Sequence, residues 1–163
     1  MLMRTFKKMA WPAFIVYMMV LVMLILLKEP HRFLSAIRHF GPDNIKAGER
    51  NLDLVPFTTT GTLLLGKSTL WDIIKNIGGN IVGFIPMGIL LPTLFAKLDK
   101  AWKVILCIFL ISLAFEATQF IVGVGYCDVD DLMQNTLGGA IGWWMYVQWF
   151  RQPYSINTKA AHE

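Results

Sequence analysis

Apolar residues fill this chain in four long stretches rather than in the short alternating patches of a soluble domain. Met9 to Leu27, Asn76 to Ala96 and Leu132 to Phe150 carry no charged residue, and Val104 to Cys127 carries only Glu116. The four stretches hold 83 residues and one charge, and each is 19 to 24 residues long. A helix rising about 1.5 Å per residue needs about 20 residues to cross about 30 Å of hydrocarbon, so all four can span. A spanning strand would need only about ten residues, alternating apolar and polar. The expectation is an all-α integral membrane protein. It is one domain over residues 1–163, a bundle of four transmembrane helices at about 9–27, 76–96, 104–124 and 132–150.

The first stretch follows Arg4, Lys7 and Lys8, as a secretory signal would, but Leu27-Lys28-Glu29-Pro30 offers no small-residue cleavage site. It reads as a retained anchor. The long first loop, Lys28 to Lys75, is expected to be extracytoplasmic. Within it His31 to Phe40 sets Phe33, Leu34, Ile37 and Phe40 near one side of a short helix, with Arg32 and Arg38 off it, which suits a segment lying at the membrane interface. Asn51 to Phe57 and the threonines Thr58, Thr59 and Thr60 are expected to pack back onto the bundle. Ser68 is the expected N-cap of the next helix. Pro86 and Pro92, with Gly88 between them, predict a kink or local unwinding in the second span.

Basic residues orient the chain only weakly by number, eight on one side against seven on the other. Their density is more decisive. Lys97, Lys100 and Lys103 crowd the second loop, whereas the third, Gly125 to Asp131, has three aspartates and no base. Both termini are therefore placed in the cytoplasm.

Composition agrees: 55% hydrophobic, 16% charged and a mean hydropathy of +0.52 make an ordinary soluble enzyme a poor description. The net charge of +4 fits contact with an anionic inner leaflet; no basic stripe with interleaved aromatics points to nucleic acid. Cys107 and Cys127 stand twenty residues apart, about 30 Å along a helix, too far to bond to one another. His31, His39 and His162 lack metal-ligand spacing, so no metal and no cofactor are expected.

The polar residues inside the stretches are the candidate chemistry. Ser112, Glu116, Gln119 and Gly123 lie on one face of the third helix, Asp128, Asp131 and Asn135 on one face of the fourth, and Asn76 and Asn80 on one face of the second. With the orientation above, Glu116 sits about 12 Å below the outer edge, at the depth of Asn80 and Asn135. A charge at that depth costs on the order of 2 to 3 kcal/mol and needs a partner, a cavity or a proton. The expected polar site is Glu116, Gln119, Asn80, Asn135, Asp131 and Ser112. The single amides and hydroxyls among them also serve commonly as interhelical bonds. Gly79 with Gly83, and Gly138 and Gly139 with Gly142, read as close-packing positions. Asp128, Asp130 and Asp131 read as a solvated loop with a helix N-terminal charge, a better fit than a cation site. Trp143, Trp144 and Trp149 are expected against lipid or at an interface.

Four pieces in order resemble the VanZ-like family. They are Asp53-Leu54-Val55-Pro56-Phe57; Asn80, Pro86, Gly88 and Pro92; Ser112, Glu116 and Gln119; and Asp128, Asp131, Asn135, Thr136, Gly138 and Gly139. The resemblance covers roughly residues 50 to 150. It departs where Asp53 replaces a usual Asn and where Gly125 replaces an Arg found in many relatives, which leaves the charge partner of Glu116 open. The resemblance implies a bacterial cytoplasmic membrane protein that lowers susceptibility to the glycopeptide antibiotic teicoplanin; it implies no reaction. Three readings follow. The first is a binder of membrane lipid, lipid-linked precursor or glycopeptide at the outer face. The second is an intramembrane enzyme with Glu116 or Asp131 as general base, and the third a proton or solute pathway that oligomerisation would complete.

Overall fold

Continuous apolar sequence does fold as long helices. The computed structural model describes residues 2–26, 33–34, 52–122 and 127–150, which contain five helices. These are α1 (Leu2–Leu26), α2 (Thr58–Leu65), α3 (Leu70–Leu94), α4 (Ala101–Val122) and α5 (Val129–Phe150). Of these, α3 and α4 are long and apolar enough to cross a membrane, and α1 contains a shorter apolar stretch, Met9–Ile25. The expected interfacial helix His31–Phe40 lies outside the described residues except for Phe33 and Leu34, both helical.

Four helices run alternately up and down, as their end-to-end contacts show. At one end the Gln119 amide of α4 donates to the Ile25 carbonyl of α1, and Asn80 near the start of α3 meets Asp131 near the start of α5. At the other end Trp11 of α1 packs edge-on against Phe95, just past α3, with ring centroids 5.6 Å apart. The all-α expectation needs one amendment. Two short strands, β1 (Leu52–Asp53) and β2 (Cys127–Asp128), pair in parallel, Leu52 opposite Cys127 and Asp53 opposite Asp128. This ladder ties the middle of the first loop to the base of α5, so residues 52–60 do fold back on the bundle.

The cap of α3 falls one residue later than expected. Thr69, not Ser68, is the N-cap: its hydroxyl accepts the Asp72 N–H at 3.2 Å, and the Asp72 carboxylate accepts the Thr69 N–H at 3.0 Å. The reciprocal box needs an acid three residues after the cap. Thr69 has Asp72 there, whereas Ser68 would have Trp71. The departure from α-helical winding in α3 precedes the prolines. The α-helical segment Gly79–Leu94 runs through Pro86 and Pro92 without unwinding, and the irregularity is a wide π turn at Ile74–Gly78. There the Asn76 amide donates to the Asp72 carbonyl, a side chain entering the ladder.

Glycines set the helix spacing. A Cβ on Gly88 would land on the Gly139 carbonyl oxygen, one on Gly138 on the Ile81 oxygen, and one on Gly142 on the Ile85 oxygen, so α3 and α5 touch backbone to backbone. Gly139 instead faces Ile108 of α4. Gly83 faces α1, where Leu21 Cδ1 stands 3.8 Å from its Cβ position, and nothing lies within 4 Å at Gly79, so that pair takes no part in the α3–α5 seam. Near this contact Tyr17 donates to the Gly83 carbonyl at 2.8 Å.

Around the seam Leu21, Phe84, Met87, Leu91, Val104, Ile108 and Trp143 form the apolar core. Trp143 is therefore not a lipid-facing residue. It follows Gly139 by one turn, which puts it on the packing face, whereas Trp144 and Trp149 are 61% and 65% exposed. Outside the core the usual distribution is inverted. Large apolar side chains line the surface of α1, α3, α4 and α5, while Ser112, Glu116, Gln119, Asp128, Asp130, Gln134 and Asn135 are buried. An apolar exterior around a polar interior is the arrangement a hydrocarbon solvent favours.

Candidate functional site

The buried polar side chains just named run from Ser112, midway along α4, to the end of the bundle where α3 and α5 begin and α1 and α4 finish. On α4, Ser112 and Glu116 are one turn apart and turn toward α5. Asn135 donates through Nδ2 to Ser112 Oγ at 2.9 Å, and the backbone N–H of Asp128 donates to Glu116 Oε2 at 3.1 Å. Gln119 departs from this pair and reaches α1 at the Ile25 carbonyl, 3.2 Å away.

A second junction joins α3, α5 and α2. Asn80 Nδ2 donates to Asp131 Oδ1 at 2.5 Å and to Gln134 Oε1 at 3.0 Å, which uses both of its amide hydrogens. Gln134 in turn donates through Nε2 to Thr60 Oγ1 at 3.1 Å. The six expected site residues thus lie in one half of the bundle, with Ser112 midway along α4. There Asn80 is bonded to Asp131 and Ser112 to Asn135, while Glu116 holds the base of α5 and Gln119 holds α1. Among the described residues Asn135 Oδ1 is buried with no hydrogen-bond partner. Gly123 and Gly125 lie outside the described residues.

Asp130 is the residue that sequence reasoning missed. Read there as a solvated acid, it is 1% exposed and clamps the start of α2. Its Oδ1 accepts the Phe57 N–H at 2.5 Å and its Oδ2 the Thr60 N–H at 2.8 Å. Phe57 is the N-cap of α2 but has no side-chain acceptor, and it adopts a left-handed conformation, φ 67°, ψ 12°. That conformation costs an L-residue on the order of 1–2 kcal/mol. Two charge-assisted bonds, each worth roughly 1.5–3 kcal/mol, outweigh it. A faint signal was present in the sequence: a helix starting at Thr58 with no Ser, Asp or Asn at its cap must draw its acceptor from elsewhere.

Asp128 completes the junction by accepting the Asp130 N–H at 2.8 Å. Burial pushes its carboxyl above the usual range; bonds from the Thr59 side chain and the Asp130 N–H oppose that, and the charges of Asp131 and Asp130 add to it. Burial likewise raises the Cys127 thiol, with the Glu116 and Asp128 charges adding. Among the described residues no three His, Cys, Asp or Glu side chains are grouped to hold a metal ion. The carboxylates of Glu116, Asp128 and Asp130 each accept a backbone N–H. The arrangement therefore fixes where the chain crosses the end of the bundle and holds acids in a setting that would otherwise expel them.

The VanZ/LLP1 family model matches residues 14–151. Protein VanZ of Enterococcus faecium is 31% identical over 130 residues, covering 80% of this chain and 68% of that protein. No solved structure matches. With the family match extending over most of the chain, from within α1 to the end of α5, the protein belongs to the VanZ/LLP1 family.

Proposed function

We propose that the protein is a four-pass, single-domain protein of the bacterial cytoplasmic membrane. Both termini are cytoplasmic, and the carboxylate-rich end of the bundle faces outward. There it lowers susceptibility to teicoplanin by binding membrane lipid, lipid-linked precursor or the glycopeptide itself, without transforming it. Family membership supports the membrane and resistance parts of this reading. The lysine-rich turn at Lys97–Lys103 supports the orientation, because it lies at the end opposite the acids. The observation that carries the binding reading is the way the carboxylates are used. Glu116, Asp128 and Asp130 accept backbone N–H groups and hold β1, β2 and α2 across the outward end, as a pre-built platform requires.

The test is an isogenic set expressing wild type, Glu116→Gln, Glu116→Ala or Asp131→Asn at matched membrane levels. Teicoplanin susceptibility and the pool of lipid-linked precursors would be measured together. Wild type and Glu116→Gln protect and Glu116→Ala loses protection, with the precursor pool unchanged throughout. No protection by wild type ends the resistance reading, and equal protection by Glu116→Ala removes Glu116 from it. A new or depleted lipid species that disappears in Asp131→Asn would replace binding with catalysis.

A further inference from the structure

The turn Leu54-Val55-Pro56-Phe57, with the start of α2, combines two properties that are seldom found together. Its side chains are apolar and exposed: Leu54, Val55 and Phe57 are each between 63% and 65% accessible. Its backbone donors from Val55 onward, by contrast, are directed to protein partners. The Val55 N–H donates to Asp53 Oδ1 at 3.1 Å, Pro56 has no N–H, and the Phe57 and Thr60 N–H groups go to Asp130. The Thr58 N–H reaches the Val55 carbonyl, and the Gly61 N–H donates to the Phe57 carbonyl. A turn in water has no need of such pairing, because solvent would serve each donor. A turn in hydrocarbon has no other choice. The strained left-handed Phe57 adds a third mark: Asp130 holds the backbone in a sparsely populated conformation while the ring stays outside the core.

Exposed apolar side chains recur along the chain just after the turn. At the start of α3, Leu70 and Trp71 are 72% and 69% exposed, and Leu65 at the end of α2 is 91% exposed. Trp71 lies in the first turn of a helix long enough to span, where an aromatic ring marks the water interface. We infer that the Leu54–Phe57 turn is a wedge that inserts among the acyl chains of the extracytoplasmic leaflet, with Asp130 as the residue that positions it. The inference rests on the membrane-spanning reading above and names what the platform touches: lipid chains, entered from the side of the bundle. It requires no reaction and no second protein.

The full chain would be reconstituted in vesicles of phosphatidylethanolamine and phosphatidylglycerol. A nitroxide would be attached at Phe57→Cys in a background carrying Cys107→Ala and Cys127→Ser. The reference label stands at Leu110→Cys, an exposed site midway along α4. Collisions with oxygen, which concentrates in hydrocarbon, and with a water-soluble nickel chelate are then compared. The wedge predicts oxygen in excess of nickel at both positions. Nickel in excess at 57 alone overturns the wedge and spares the spanning reading; nickel in excess at 110 overturns both. Low access to either reagent at 57 means that a partner protein or a second copy covers the turn, and that also overturns the wedge. Asp130→Asn should sharpen the spectrum of the label at 57, and an unchanged spectrum removes Asp130 as the positioning residue. Should Phe57→Cys fail to fold, the unaltered chain is photolabelled in the same vesicles with a lipid bearing a diazirine deep in its acyl chain. Adducts on residues 52–66 support the wedge, and adducts confined to the long helices overturn it.

Discussion

Adding one methyl group to the α3–α5 seam should separate the two helices, and the structure says where. At Gly88 an added Cβ would collide with the Gly139 carbonyl oxygen and stand 2.7 Å from the Trp143 nitrogen and 2.8 Å from the Gly142 Cα. At Gly142 it would collide with the Ile85 oxygen and stand 3.0 Å from the Gly88 Cα. These are backbone atoms, so no rotamer change relieves the contact and the helices must part by about 1 Å. A gap of 0.5–1 Å forfeits a quarter to a half of each dispersion contact, and overpacking costs roughly 1–3 kcal/mol. Alanine recovers about 0.5–1 kcal/mol of helix propensity. Gly88→Ala and Gly142→Ala should each destabilise by about 1–2 kcal/mol net. Gly83→Ala is the control, since its methyl would meet only Leu21 Cδ1 at 3.8 Å, and it should be neutral or slightly stabilising. The assay is unfolding of the purified proteins in detergent, followed by helix signal against denaturing detergent. Equal loss at Gly83 and Gly142, or wild-type stability for Gly142→Ala, would refute backbone contact as the basis of the seam.

Three further predictions concern the acidic end. Asp130→Asn removes the charge from two bonds to α2, so limited proteolysis should cut between Leu54 and Leu65 several-fold faster, while the long helices stay resistant; unchanged cleavage would deny the clamp. Glu116→Gln keeps an acceptor for the Asp128 N–H, whereas Glu116→Ala leaves a buried donor unpaired at a cost of about 1–3 kcal/mol, so only the alanine variant should lose thermal stability. Burial raises the Cys127 thiol, with the Glu116 and Asp128 charges adding, so less thiolate is present at neutral pH than for a free cysteine. Maleimide should label Cys127 slowly, and Glu116→Gln should speed it by removing one of the two charges; equal rates would show that the carboxylate does not reach the sulfur.

How far the sequence speaks depends on whether a signal is local. Absence of charge over about twenty residues is local, and it located the helical stretches of α1, α3, α4 and α5. Helical spacing is local too, and it placed Ser112, Glu116 and Gln119 on one buried face. Partners are not local. The glycine spacing at 138 and 142 identified a packing face without saying that α3 was the neighbour, and the same spacing at 79 and 83 belonged to no part of that seam. Asp130 was misread because its ligands are backbone N–H groups 73 and 70 residues away, and backbone leaves no trace in composition. Gln134 escaped notice for the same reason, as its partners Asn80 and Thr60 come from two other helices.

These distant partners also change what the isolated charge in α4 means. A carboxylate in an apolar helix invites a reading as a base or an ion ligand, because its burial must be compensated by something. Here part of the compensation is structural and runs in sequence. Glu116 accepts the Asp128 N–H and so fixes β2; β2 pairs with β1 and fixes where the first loop arrives. Asp128 orients the Asp130 N–H, and Asp130 caps α2 through Phe57 and Thr60. Each link uses a buried acid to hold backbone that has no apolar means of holding itself. The acids are therefore placed where the chain leaves regular helix, and there each organises backbone N–H groups that offset part of the cost of its burial.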